Sequence, residues 1–316
     1  MKNEEKIELL YNEEYLPKEK EQKRTVLLSK VSPKIENFIE KNIKSILYLD
    51  IISNCYNTLG YPTIKEIYIE DTSINSIKND IKKLNIKIDI YSNNTTLYEN
   101  DYIENTINLL KKSGNCFINE DGLCYKTKKQ YDILINANGE YQDKLYKMAY
   151  YFKIIANNYY KAYIIDSYPL KINNNSIYIK NIQSTIIDID YSNINALKYK
   201  ILGVKQEDYT LIEDTYIILL QIEDKYQLIP ININNLKYFD YNIIDKILEY
   251  KSIILKTIEE FNPSIIIDYI YELIKMFIFY YDNVKDDIKE RTYIIKSIRK
   301  VIDNSLNLLG INPRYI

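Results

Sequence analysis

The chain has 316 residues and is 46% hydrophobic, so it can form one large domain or two smaller ones with a substantial core. Its formal net charge of −2 excludes a globally basic nucleic-acid-binding protein, and any such site must be a local patch. With no histidine and only three cysteines, the chain has too few ligands for a structural zinc site, and we predict no bound metal.

Residues 1–24 are charged and contain no apolar segment typical of a signal peptide. We interpret this N-terminal segment as a solvated helix or arm. The odd number of cysteines predicts free thiols, and with the missing signal peptide it favours a reducing, cytoplasmic location. The longest apolar stretches are short or interrupted by charges, so we expect no membrane contact.

The hydrophobic pattern changes after residue 24. Residues 26–28 predict a short buried strand, 37–59 a helix closed by Gly60, and 64–69 an alternating strand. A strand, a helix and a strand within some forty-five residues form a βαβ unit, so we expect the two strands to be parallel and the crossover right-handed.

The last fifty-odd residues predict two long helices. Apolar side chains recur at steps of three and four between 266 and 280, and a polar pair, Asp282-Asn283, then breaks the pattern. A second helix is expected from about 284 to 309, ended by Gly310 and followed by Pro313. Two helices joined by a tight turn pack antiparallel to bury their apolar stripes.

Short motifs follow one another in a fixed order along the chain. They are Ser32-Pro33, Leu59-Gly-Tyr61, Asn138-Gly139, the run from Leu197 to Gly203, the Tyr-Ile-Tyr-Glu-Leu run at 269–273 and the Leu-Leu-Gly-Ile turn at 308–311. Together they resemble the motifs of the arginyl-tRNA synthetases, and all six glycines fall on glycines of that family's pattern. A chain this poor in glycine should keep it mainly where φ is positive or a side chain would clash.

The resemblance covers residues 26–316, with large deletions, and implies an α/β fold followed by an all-α region. After the charged segment 1–24, residues 25–238 would form a degenerate, Rossmann-like class I synthetase core. Residues 239–316 would form an anticodon-binding-type helical bundle. Within the core, residues 217–222 are similar to a strand of the family. The implied partner is tRNA or another structured RNA, with a protein partner as a further expectation.

The family's ATP site looks degenerate in this chain. Adenylate formation needs cationic hydrogen-bond donors around the reacting phosphate, which the family supplies from a His-x-Gly-His motif and a later lysine-rich loop. The first motif falls on residues 39–42, without either histidine, and the loop region at 221–235 has one lysine, Lys225. The degenerate ATP-site positions are Ser32, Ile39, Lys41, Asn42, Lys44 and Ser45.

The arginine pocket that the resemblance implies is altered as well. Its positions fall on Asn94, Asp143 and Lys147, and a lysine in the last of these would repel a guanidinium that needs paired carboxylates. We therefore predict that the chain does not aminoacylate, and we assign no catalytic residue and no cofactor. ATP with Mg²⁺ is expected only if a ligase activity survives.

Three functions are compatible with these patterns. The first is an inactive arginyl-tRNA synthetase-like protein whose bundle binds RNA, with Arg291, Arg299, Arg314 and Tyr315 contacting phosphates and stacking on bases. An ordinary solvated helix face would explain the same four residues. The second is an enzyme, either a minimal arginine–tRNA ligase or one that adenylates another substrate. The third is a scaffold that binds a protein partner. We favour the first.

Overall fold

The structure, a computed structural model, describes residues 2–17, 22–32, 38–69, 74–127, 130–167, 170, 174–182 and 189–312. Its strands are β1 (Val26–Ser32), β2 (Thr63–Ile69), β3 (Ile90–Ser92), β4 (Cys116–Asn119), β5 (Gly122–Lys126), β6 (Tyr131–Asn136), β7 (Lys161–Ile165) and β8 (Ile177–Lys180). Its helices are α1 (Asn3–Tyr11), α2 (Phe38–Thr58), α3 (Ile74–Lys83), α4 (Asn94–Glu99), α5 (Tyr102–Lys112), α6 (Asp143–Ala156), α7 (Ile194–Ile201), α8 (Gln206–Lys225), α9 (Tyr238–Leu248), α10 (Tyr250–Glu260), α11 (Ser264–Val284) and α12 (Thr292–Leu308).

The larger sheet has five parallel strands in the order β3-β2-β1-β7-β8, and the smaller has three antiparallel strands in the order β4-β5-β6. All seven residues of β1 are buried, which is typical of a central strand covered on both faces. The predicted strand–helix–strand unit is confirmed as β1, α2 and β2, with β1 and β2 parallel. The carboxyl ends of these strands meet at one edge of the sheet, where α/β folds bind their ligands.

Two apolar clusters cover the two faces of the sheet. On one face α2 packs against both the sheet and the C-terminal helices, so that Ile46 of α2 shares a cluster with Ile254 of α10 and Ile298 of α12. On the other face Ala149 of α6 packs with Leu27 of β1. An α/β core followed by helices confirms the predicted fold class. In the part of the chain described, no helix is both long and apolar enough to cross a bilayer.

Three features differ from the sequence predictions. The last helix, expected from about 284, begins at Thr292. The helix after Pro263 continues through Asp282-Asn283 to Val284, because the polar pair lies on its exposed side while Val284 is buried. The strand expected at 217–222 is wrong, since these residues belong to α8. The buried positions of α8 include Thr215, Leu219 and Ile222, which recur at helical spacing. Helix α8 packs against α12. The domain boundary at 238/239 stays a prediction.

We expected a solvated N-terminal segment, but part of it is buried. Ile7 and Leu10 of α1 and the following Tyr15 are buried in the main core, and α1 packs against α9. Two ion pairs, from Lys6 to Asp245 and from Lys300 to Glu13, tie the segment to the C-terminal helices. The sequence pattern did not reveal this apolar contact face, because the segment has only a few buried positions among many charged residues. The centre of the mixed-charge run, residues 18–21, lies outside the described residues.

Each of the six glycines has a positive φ, as we predicted for a chain with so few glycines. Gly122 is strongly constrained: its φ is +117°, and an added Cβ would lie 2.1 Å from the carbonyl oxygen of Ile135 on the neighbouring strand. The hairpin between β5 and β6 therefore requires glycine at this position.

Candidate functional site

The positions of the implied ATP site lie along the carboxyl end of β1 and the start of α2. Ser32 ends β1 and is buried, and the connecting residues 33–37 lie outside the described part of the chain. Ile39, Asn42 and Ser45 are buried in α2, and the Asn42 amide donates to the carbonyl of Phe38 at 2.8 Å. These three side chains support the packing of α2 and carry no charge that could neutralise a phosphate.

Lys41 and Lys44 are the two lysines among the implied ATP-site positions. They do not lie on opposite sides of a cleft, where two cationic donors could hold a phosphate between them. Lys41 is exposed on the surface of α2. The Lys44 ammonium lies 5.6 Å from the centroid of the Tyr48 ring, on the same helix. Both cations are thus on one helix, without a partner cation from the later loop.

At the carboxyl ends of β2, β3 and β7, two of the positions that the family resemblance assigns to an arginine pocket contact other side chains of the chain. The Tyr68 hydroxyl at the end of β2 donates to the Asn94 side-chain oxygen at 2.5 Å. The Tyr68 ring stacks on Tyr150 of α6 with centroids 4.4 Å apart, and both rings are fully buried. Asn94 therefore already has a phenol as its partner, and stacked rings occupy the space beside it.

Lys147, the third pocket position, is paired with a carboxylate that follows β7. Its ammonium lies 2.8 Å from Oδ2 of Asp166, which is 1% exposed. The Tyr151 hydroxyl donates to the same carboxylate at 2.7 Å, and burial followed by the charge of Asp166 raises the pKa of Tyr151. Asp143, one turn before Lys147, is exposed at the start of α6. The carboxylate of Asp166 is thus already satisfied.

Sequence reasoning missed a third charge at this edge, Lys30 of β1. The Lys30 side chain is 3% exposed, and its pKa is lowered to about 8. Burial is the largest cause; the charge of Asp166 raises the pKa and that of Lys147 lowers it. A lysine inside a buried strand and an aspartate directly after one were both visible in the sequence. They form a group of two cations and one anion, which can attract an anionic group.

A second polar network lies deeper, between the sheet and α6. Glu66 of β2 is fully buried and pairs with Lys153 at 2.5 Å, while Ser92 donates to the same carboxylate oxygen. The Tyr150 hydroxyl lies 2.5 Å from that of Ser29. Hydrogen bonds within the chain therefore hold the stacked tyrosines in place. Within the described ranges, no group of three acidic or cysteine side chains could hold a metal ion.

Comparison with known proteins agrees with this architecture. Residues 219–314 match the family model of the DALR anticodon-binding domain. A Campylobacter jejuni protein described as a candidate arginyl-tRNA synthetase superposes with a TM-score of 0.76 at 15% identity, over 98% of each chain. The chain has the arginyl-tRNA synthetase fold.

Two further structures share the fold at low identity. The arginyl-tRNA synthetase of Thermus thermophilus gives a TM-score of 0.71 at 10% identity, over 97% of this chain and 85% of that one. That of Plasmodium falciparum gives 0.72 at 13% identity, over 93% and 77%. No curated protein matches the chain by sequence. At these identities the likeness concerns the fold, and the DALR anticodon-binding match concerns the C-terminal third.

Within the DALR domain, the structure gives Arg291 an internal role instead of the predicted RNA contact. The side chain is 2% exposed, and its guanidinium lies 3.4 Å from the buried carboxylate of Asp240. It also donates to the carbonyl of Asn235 at 2.8 Å. A guanidinium enclosed in this way cannot reach a phosphate. Arg291 instead connects the turn before α12 to α9.

The other predicted RNA contacts give little more. Arg299 is largely covered and bridges Glu223 of α8 and Asp303 of α12, each at 2.8 Å. Arg314 and Tyr315 lie outside the described residues. Residues 219–314 contain 14 acidic and 13 basic side chains, so the DALR domain has no positive excess. Any RNA contact there must come from local geometry.

Proposed function

We propose that the chain is an arginyl-tRNA synthetase-like protein that does not aminoacylate and that binds RNA in the cytoplasm. The observation that carries the first half is the ion pair between Lys147 and Asp166, which places a cation and a satisfied carboxylate where the family resemblance implies an arginine pocket. A guanidinium entering this space would meet the positive charge of Lys147, and the buried carboxylate of Asp166 is already paired.

The neighbouring side chains support the same proposal. The stacked rings of Tyr68 and Tyr150 are fully buried and hydrogen-bonded on both sides, to Asn94 and to Ser29. Opening a pocket there would break these contacts and expose two aromatic rings, at a cost of roughly 2 to 3 kcal/mol for each ring. A substrate would have to supply that free energy before any chemistry could begin.

The RNA-binding half is supported by the DALR anticodon-binding match at residues 219–314. A filter-binding assay with total tRNA at micromolar protein tests it, because phosphate contacts weaken as salt rises. Retention at 50 mM salt that falls steeply by 200 mM is the expected result. Absence of retention at low salt would remove RNA binding and leave a fold kept for a protein partner.

One observation favours a surviving adenylation activity as the second candidate. Lys30 and Lys147 together place two cations beside Asp166 at the strand ends, which could attract an anionic group. Arginine-dependent exchange of pyrophosphate into ATP separates the two functions. If exchange occurs and Lys30→Met abolishes it, the second candidate replaces the first.

A further inference from the structure

We propose that a groove between the β7–β8 edge of the sheet and α10 binds a single-stranded segment of RNA. We call it the tyrosine groove; its lining includes Tyr61, Tyr160, Lys161, Tyr178, Lys180 and Leu255, and its volume is about 440 Å³. The inference rests on the proposed RNA binding and names the surface responsible. It moves the contact from Arg291 and Arg299, which form ion pairs within the chain, to side chains of the α/β core.

The groove extends from the cleft described above towards the opposite edge of the sheet. Lys180 is the lining residue next to that cleft, since its carbonyl accepts from the backbone N–H of Asp166 at 3.2 Å. Tyr160 and Lys161 stand at the amino end of β7, whereas Asp166 follows its carboxyl end. Five residues of extended strand separate the two positions by roughly 16 Å. Helix α10 forms the opposite wall, where Leu255 is 48% exposed. A ligand in the groove would therefore lie between the core and the DALR domain.

Two stacked pairs of tyrosine rings form the floor of the groove. Tyr61 stacks on Tyr160 with centroids 5.6 Å apart and planes 4° from parallel. Tyr163 stacks on Tyr178 with centroids 5.1 Å apart, and Tyr178 is 39% exposed. Tyr163 is fixed from below by a hydrogen bond of 2.8 Å between its hydroxyl and that of Tyr56. An exposed ring that is backed by a rigid one is a suitable platform for a nucleobase.

Two cations lie over these rings, and a third lines the same groove. The guanidinium carbon of Arg24 is 5.2 Å from the centroid of Tyr160, and the Lys161 ammonium is 5.7 Å from Tyr160 and 5.8 Å from Tyr178. The Lys180 ammonium is 5.6 Å from the ring of Phe261. Among the described residues of the lining, the one carboxylate is that of Glu259. The groove therefore has a positive excess that the DALR domain lacks.

These cations differ from three lysines of the core that are held by carboxylates. Lys65, Lys147 and Lys153 each form an ion pair within 2.8 Å of a carboxylate. Over the described ranges, no carboxylate lies within ion-pair distance of Arg24, Lys161 or Lys180. Within these ranges, a phosphate would not have to displace a carboxylate to reach them.

The groove continues beyond a single nucleotide. A second depression of about 520 Å³ shares Tyr160 with it and is lined by Lys23, Arg24, Asn157 and Asn158. Stacked rings beside a line of cations suit unpaired bases joined by phosphates, because paired bases stay stacked inside their own helix. An acidic peptide would use the cations but would gain little from parallel rings.

The test is fluorescence anisotropy of a labelled eight-nucleotide oligouridylate on the full chain, with a hairpin of equal length for comparison. Tyr178→Leu is expected to weaken binding by roughly five- to a hundred-fold, the loss of one stacked base. The double variant Lys161→Gln/Lys180→Gln should reduce the slope of log affinity against log salt by about 1.4, for two lost phosphate contacts. The oligouridylate should bind more tightly than the hairpin.

Matched controls change the same chemistry elsewhere. Tyr238→Leu removes a tyrosine that is 80% exposed, and Lys275→Gln removes a lysine held over a ring on α11. Both should bind within two-fold of the parent chain, and thermal melting should show that each variant is folded. The lysine double variant keeps the test valid if Tyr178→Leu does not fold.

The failures are distinguishable. If the parent chain retains tRNA and both groove variants bind as it does, this inference is wrong and the proposed RNA binding stands. If the parent chain binds neither tRNA nor oligouridylate, both are wrong. Capture of a protein partner that the groove variants abolish, without any RNA binding, would assign the groove to that partner and overturn the inference.

Discussion

The ammonium of Lys147 on α6 lies 2.8 Å from the carboxylate of Asp166, which directly follows β7 and is 1% exposed. The pair lies where the family resemblance implies a pocket for arginine. Because a buried carboxylate left alone is costly, the contact also stabilises the fold.

The first prediction concerns this pair. Lys147→Met should lower the free energy of unfolding by about 3 kcal/mol, because the buried carboxylate of Asp166 would lose the ammonium that lies 2.8 Å from it. Urea denaturation measures the change. Lys144→Met on the same helix breaks the more exposed pair with Asp132, at 3.4 Å, and should cost less than about 1 kcal/mol. Equal effects of the two substitutions would contradict the assignment.

The second prediction concerns the pH dependence that Lys30 imposes. Its folded pKa is about 8 and its ordinary value is 10.5, so between these values the folded chain binds fewer protons than the unfolded chain. The cost of burying Lys30 is therefore fully present below pH 8 and is relieved as pH rises towards 10.5. Lys30→Met should be more stable than the parent by about 3 kcal/mol at pH 7.

The advantage of Lys30→Met should shrink by about 2 kcal/mol between pH 7 and pH 9.5. Titration of other groups, including the many tyrosines, is common to both chains and cancels in the difference. Lys41→Met, at an exposed position, should show a difference that does not vary with pH. A stability gap for Lys30→Met that stays constant over this range would show that Lys30 keeps its ordinary pKa.

The third prediction separates structural from RNA-binding arginines. Arg291→Met should destabilise the chain by about 3 to 5 kcal/mol, since it leaves Asp240 buried without a counter-charge. Arg299→Met removes the same charge from a half-covered bridge and should cost about 1 kcal/mol. In filter binding, folded Arg291→Met should retain tRNA as the parent does. Selective loss of tRNA retention in that variant would restore Arg291 as a contact.

The fourth prediction uses two glycines. Gly122→Ala should cost about 3 kcal/mol or more, because the new methyl group would meet the Ile135 carbonyl in addition to a strained φ. Gly114→Ala has a positive φ of +72° but nothing within 4 Å, so it should cost about 1 to 2 kcal/mol. Thermal melting of the two variants measures the difference. Equal costs would mean that φ alone explains the glycine at 122.

Much of the fold follows from local pattern. The spacing of apolar residues predicts β1, α2 and β2 within a few residues, because period and length differ between strands and helices. The strand expected at 217–222 came instead from family likeness. The residues themselves favour the helix that forms, since Thr215, Leu219 and Ile222 follow helical spacing. For this segment the family likeness predicted a strand and the spacing of apolar residues favours a helix, and the chain forms the helix.

The side-chain network of the cleft could not be predicted in the same way. The pairing of Arg291 with Asp240 joins residues 51 apart, and the influence of Asp166 on the pKa of Lys30 depends on two strands being neighbours. Sequence marks such residues only as charges in apolar surroundings. Their partners are set by tertiary packing, which is why Arg291 was predicted to contact RNA and is instead buried.

The most direct test of the central claim is arginine-dependent exchange of labelled pyrophosphate into ATP. It should be run at micromolar protein, with and without total tRNA, with other amino acids as blanks and with an active arginyl-tRNA synthetase added to one tube. We predict exchange no higher than the blank in every tube that lacks the active enzyme. Arginine-dependent exchange above the blank, with or without tRNA, would contradict the account.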